Sequence, residues 1–190
     1  MDQQHYEDET FEKLTISGER LNHREFDNCT FKFCDFSGSN FSNSRFSDCD
    51  FTGCNLSNIV LNNATLHGIL FKDCKILGVN FSECDPFLFG VYFENCLLDY
   101  ASFMNRKMPK TSFVNSSLKN VMFANANLEK SIFEKTDLDQ AIFNQTNLKE
   151  ATFLTAFNYD IDPELNNVQK AKFSSFGLAG LLIKHNLKIS

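Results

Sequence analysis

A large apolar residue recurs at every fifth position through most of this chain, and that spacing suits neither an α-helix nor a flat strand. Counting in fives from Phe11 lands on Ile16, Leu21, Phe26, Phe31, Phe36, Phe41, Phe46, Phe51, Leu56, Leu61, Leu66, Phe71, Ile76 and Phe81. The next step lands on Pro86. The pattern resumes two residues out of phase at Leu88 and runs through Phe93, Leu98, Phe103, Met108, Phe113, Leu118, Phe123 and Leu128 to Phe133, Leu138, Phe143, Leu148 and Phe153. Two residues before most of these sits a small one, such as Cys34, Ser44, Ala64, Ala101, Ser131 or Thr146; Glu19, Arg24 and Arg106 are exceptions. Helices repeat every 3.6 residues and strands every 2. A period of five fits a chain that turns a corner every five residues, with the large residue and the small one before it both pointing inward.

Four such sides close a square coil of 20 residues, and successive coils stack at about 4.8 Å through backbone hydrogen bonds. If the break near Pro86 is a two-residue insertion, one column reads Phe11, Phe31, Phe51, Phe71, Phe93, Phe113, Phe133, Phe153. Any other insertion length breaks this all-Phe ladder. The 22 Phe and the absence of Trp are thereby explained, because one packing site is used many times. The expectation is about seven coils in a rod roughly 35 Å long.

The quintets Ala126-Asn127-Leu128-Glu129-Lys130, Thr146-Asn147-Leu148-Lys149-Glu150 and Cys34-Asp35-Phe36-Ser37-Gly38 resemble the pentapeptide-repeat family. The resemblance implies an all-β, right-handed quadrilateral β-helix. The expected organisation is a polar tail over 1–10, a β-helix over 11–173 and a C-terminal helical cap and tail over 174–190. The β-helix carries a bulge at 85–86 and a short excursion at 154–167. Asp162-Pro163-Glu164 reads as a helix start, and Ser174 or Ser175 as the N-cap of the last helix.

The run Tyr159-Asp160-Ile161-Asp162-Pro163-Glu164-Leu165-Asn166 and the Gly/Leu-rich segment after it resemble the tail of the microcin-immunity and Qnr members. That resemblance implies a protein partner, a type II topoisomerase, protected against a quinolone or a microcin. It also implies a homodimer joined at the C-terminal ends through Phe176, Leu178, Leu181, Leu182, Leu187 and Ile189. The alternative for these apolar residues is a cap that buries them on its own rod. A second functional reading is a scaffold for an unrelated partner.

Charge bears on whether the rod imitates a duplex. Residues 1–100 hold 16 acidic and 7 basic side chains, net −9, whereas residues 101–190 hold 8 and 11, net +3. A duplex carries about 20 charges over such a length. The candidate partner contacts are the bulge residues Asp85, Pro86, Phe87 and Phe89, with the nearby acids Asp50, Asp73, Glu83 and Glu94. The alternative is that these are ordinary solvated corner residues.

No catalytic motif, phosphate loop or recurring His–carboxylate pair is present, so neither an enzyme nor a cofactor is expected. The seven Cys fall on inward small positions and read as small buried hydrophobes rather than metal ligands. No stretch is apolar enough to span a bilayer and the N-terminus is acidic. The expectation is a cytoplasmic protein that touches neither membrane nor nucleic acid.

Overall fold

A computed structural model describes residues 3–188. The chain winds as a parallel β-solenoid of about 8 turns. Strands β1 (His5–Glu7) and β2 (Thr10–Glu12) occupy two adjacent sides of the first coil. β3 (Glu25–Asp27) and β4 (Thr30–Lys32), then β5 (Arg45–Ser47) and β6 (Asp50–Thr52), then β7 (Thr65–His67) and β8 (Ile69–Lys72), repeat that pair. Thereafter one side alone carries strands: β9 (Val91–Glu94), β10 (Ser112–Val114), β11 (Ile132–Glu134), β12 (Thr152–Phe153) and β13 (Lys172–Phe173). The result is a nine-stranded parallel sheet along the whole rod and a four-stranded one, β1-β3-β5-β7, that stops halfway. The remaining sides are joined by isolated parallel bridges, such as Asn127 with Asn147.

Phe ladders hold this stack together. Phe11 pairs with Phe31, Phe31 with Phe51 and Phe51 with Phe71 at offsets of 20, and Phe71 pairs with Phe93 at an offset of 22. The insertion therefore has the expected length. Rings stack along the rod, with centroids 4.4 Å apart for Phe31–Phe51 and 4.6 Å for Phe133–Phe153. Across a coil they meet edge to face, as Phe113 meets Phe123 at 76°. Both geometries suit the ring quadrupole, and each buried ring contributes roughly 1.5–3 kcal/mol relative to exposure.

Corners explain the Asn content. The residue two after most inward ones has positive φ, for instance Asn28, Asn43, Asn58, Asn115 and Asn125. Asn tolerates this region better than most side chains. Asn side chains also bond between coils, as Asn115 Nδ2 donates to Asn95 Oδ1 at 2.8 Å. The seven Cys are all buried in the small inward column. Cys49 donates to the carbonyls of Ser47 and Phe26, at 3.2 and 3.5 Å.

The structure corrects several expectations. Residues 5–7 of the supposed tail form β1, and Tyr6 stacks on Phe26 at 5.2 Å, so the first coil begins before Phe11. The segment 154–167 adds no length, since Asn147 still pairs with Asn167 and Phe153 with Phe173. Within it, Asn158 and Pro163 stand where large inward residues belong, and buried Tyr159 and Ile161 fill the space. No helix starts at Asp162; its Oδ1 accepts from Glu164 N–H at 2.8 Å and closes a turn instead. The C-terminal cap is not an α-helix but two short 3₁₀ segments, Ser175–Leu181 and Ile183–His185, with Ser174 as N-cap.

That cap is pinned by close contacts. A Cβ on Gly180 would lie 2.3 Å from the Tyr159 carbonyl oxygen, so only glycine allows the approach. Lys184 Nζ bonds Asp162 and Glu164 at 2.8 and 2.7 Å, tying the cap to the preceding turn. Among the described residues no helix is long and apolar enough to cross a membrane.

Candidate partner-binding surface

The break in the fives forms a knob. A 3₁₀ turn, Phe81–Glu83, leads into it, and the chain rejoins the sheet at Val91. Asp85 N–H donates to the Ala64 carbonyl at 2.8 Å, and Gly90 N–H to the Leu66 carbonyl at 2.8 Å, so both ends hang on the previous coil. Between them Asp85 Oδ1 accepts from Phe87 N–H at 2.7 Å. The fives place Leu88 inward; instead Leu88 is 65% exposed and Phe89 turns in, 6.2 Å from the Phe81 ring. Phe87 is 79% exposed and Pro86 is exposed beside it.

Of the bulge residues named as contacts, Asp85, Pro86 and Phe87 are thus at or near the surface, whereas Phe89 is buried and is a core residue. Glu83 is exposed at the start of the knob. The other acids lie on the neighbouring side or its corner and form no stripe. Glu94 is paired with Lys72 at 2.9 Å, which holds that lysine above its ordinary pKa. Asp73 accepts from Asn95 at 3.0 Å, and Asp50 pairs between Thr30 and Leu70 in the sheet.

One functional residue escaped the sequence reading. Arg106 stands in the small inward column, one coil after Cys84, and is only 6% exposed. Its Nη1 donates to the Asp85 carbonyl at 3.0 Å, and its Nη2 to the Ser82 carbonyl at 2.5 Å and to the Cys84 carbonyl. Its guanidinium carbon lies 5.2 Å from the centre of the Phe89 ring. The available signal was its place as a misfit in the small column directly after the insertion.

The far end offers a second surface. Phe176 is 98% exposed, Leu178 47% and Leu187 58%, while Leu181 packs against the core and Leu182 is half-buried. Ile189 lies outside the described residues. An open groove of about 700 Å³ runs between cap and rod, lined by Leu154, Phe157, Phe176 and Ile183 among others. Among the described residues no cluster of His, Cys, Asp and Glu could hold a metal ion.

Two family models match the chain. The model for "Pentapeptide repeat region" covers residues 24–103, and that for "Pentapeptide repeats (8 copies)" covers 96–134 and 116–153. The chain belongs to the pentapeptide-repeat family. Its fold is also that of solved structures. A trypsin-treated variant of QnrB1, a plasmid-mediated fluoroquinolone resistance protein, aligns with a TM-score of 0.63 at 20% identity, over 95% of this chain and 100% of that one. A second trypsin-treated variant of QnrB1 aligns with a TM-score of 0.59 at 19% identity, over 98% of each. No curated protein matches this pentapeptide-repeat chain at a significant level.

Proposed function

We propose that this pentapeptide-repeat protein is a non-enzymatic, cytoplasmic protein-binding rod that engages a type II topoisomerase and relieves a poison such as a quinolone or a microcin. One observation carries the reading: the solenoid shares its fold with QnrB1 over nearly its full length and adds an apolar knob to an otherwise polar corner. A core filled by Phe and Leu supports binding at the surface rather than in a cavity. The test is DNA supercoiling by gyrase with and without a quinolone, adding micromolar protein. Restored supercoiling in the presence of the drug is expected. No change in either activity or poisoning eliminates the topoisomerase reading.

The pairing of Lys72 with Glu94, and of Asp73 with Asn95, favours a second reading. With Glu94 neutralised by Lys72 and a net charge of −9 over residues 1–100, the rod presents less negative potential than a duplex, and its partner is an unrelated protein. Binding to the knob without any effect on a topoisomerase would support it. In either reading two rods join at their C-terminal ends, Phe176 and Leu178 of one covering the exposed apolar cap of the other.

A further inference from the structure

The arginine beneath the knob is buried. Among the described residues no carboxylate lies within ion-pair distance of Arg106. A buried cation is costly unless its donors are satisfied, and here the satisfying groups all belong to the knob. Three carbonyls of the segment entering it, those of Ser82, Cys84 and Asp85, converge on one guanidinium, and the Phe89 ring covers its face. The two inserted residues bring these carbonyls over a column that elsewhere mostly holds small residues, as at Ser44, Ala64, Ala126 and Thr146. The column has one other arginine, Arg24, and it too donates to a carbonyl of the preceding coil, that of Gln3.

We infer that Arg106 is a positioning residue, a latch that holds the loop Ser82–Phe89 in one conformation so that Phe87 and Leu88 stand out as a preformed apolar anchor. The inference rests on the protein-binding reading for its purpose, but the latch itself can be tested without any partner. With Arg106 in place the knob has its carbonyls fixed, its Asp85 turn closed and Phe89 plugged into the core. Without it, the buried Cys84 carbonyl and the half-buried Ser82 and Asp85 carbonyls lose their donor, and the loop gains freedom that binding must then remove.

The test uses the full chain and Arg106→Met, which keeps the stem and removes every donor. Chymotrypsin cuts after Phe and Leu, and mass spectrometry reports which bond is cut. Cleavage after Phe87 or Leu88 is expected to accelerate about tenfold or more, while cleavage after Phe176 is unchanged. Amide exchange should rise at Asp85 and Gly90 and stay slow at Phe113 and Phe133. Arg106→Lys keeps the charge but cannot span three carbonyls, and should fall between. Equal cleavage at the knob in Arg106→Met and the parent chain would overturn the latch. So would equal loss of protection at Phe113, or the failure of both variants to fold, since Arg106 would then be ordinary core. A Phe87→Ser/Leu88→Ser variant, latch intact, separates the two ideas: under the topoisomerase reading it loses drug protection with its fold unchanged. If the parent chain has no effect on gyrase, the partner reading fails and the cleavage result still decides the latch.

Discussion

Before the knob and after it, the rod solves the same packing problem differently. In the second and third coils Phe fills consecutive sides, so that Phe31, Phe36, Phe41 and Phe46 meet edge to face around each corner. After the knob, Phe alternates with Leu or Met, and two facing Phe columns interlock across the axis, as Phe103 does with Phe93 and Phe113. The first part changes recipe partway: Phe41 and Phe46 are followed one coil on by Leu61 and Leu66. A void of about 10 Å³, too small to hold water, remains among them. Five of the seven cysteines also lie in the first part, with Cys84 in the knob and Cys96 just after it. Uniform columns pack without such mismatch, so the C-terminal part should be the firmer one.

The largest expected effect tests that ranking directly. Phe133→Ala removes a ring from an unbroken column and should cost about 3–5 kcal/mol in denaturant unfolding. Phe11→Ala, at the half-exposed end of the same ladder, should cost about 1–2 kcal/mol. Equal costs would mean that the ladder does not fray toward its N-terminal end.

Alkali should separate the two parts next. Burial pushes the thiols of Cys49 and Cys84 up to about 12 from an ordinary value of 9.0. The folded chain then holds protons that the unfolded chain releases, so stability is full below pH 9 and falls as pH climbs toward 12. The loss is about 2 kcal/mol per thiol by pH 10.5. Amide exchange at pH 10.5, corrected for intrinsic rates, should rise more before the knob than after it, where the raised Tyr159 hydroxyl gives a smaller alkaline loss. A uniform rise along the rod would assign the alkaline loss to something other than these thiols.

Smaller effects probe the surfaces. Under the proposed end-to-end pairing, Phe176→Asp should lower the mass seen by light scattering to that of one chain and leave the unfolding midpoint nearly unchanged, because the ring is 98% exposed. Lys72→Met breaks the exposed pair with Glu94 and should shift the unfolding midpoint only slightly, the shift vanishing in high salt.

What the sequence revealed, and what it hid, follows from how each feature is encoded. The Phe11-to-Phe153 ladder was legible because periodicity is a collective signal, and its continuity across Pro86 set the insertion at two residues. Periodicity could not say which apolar residue of Phe87-Leu88-Phe89 turns inward; backbone bonds at Asp85 and Gly90 decide that. Tyr6 is in phase with Phe26, yet the acidic residues around it read as a tail. The cap became 3₁₀ rather than α-helical where Gly177 and Gly180 press onto Tyr159, a contact no local propensity expresses. Arg106 was visible only as a misfit, because three carbonyls give a buried arginine its purpose and their convergence exists only in three dimensions.

The offset of 22 at the knob carries a consequence beyond binding. Each coil reads its position from its neighbours through hydrogen bonds that run along the rod, not from residue numbers along the chain. The extra length is therefore absorbed inside a single turn, and Phe93 meets Phe71 as if nothing had been added. The solenoid acts like a stack of coins in which one coin may carry a tab. A longer segment inserted between Pro86 and Leu88 would leave every pairing above and below intact, making this corner a natural place to attach new chain.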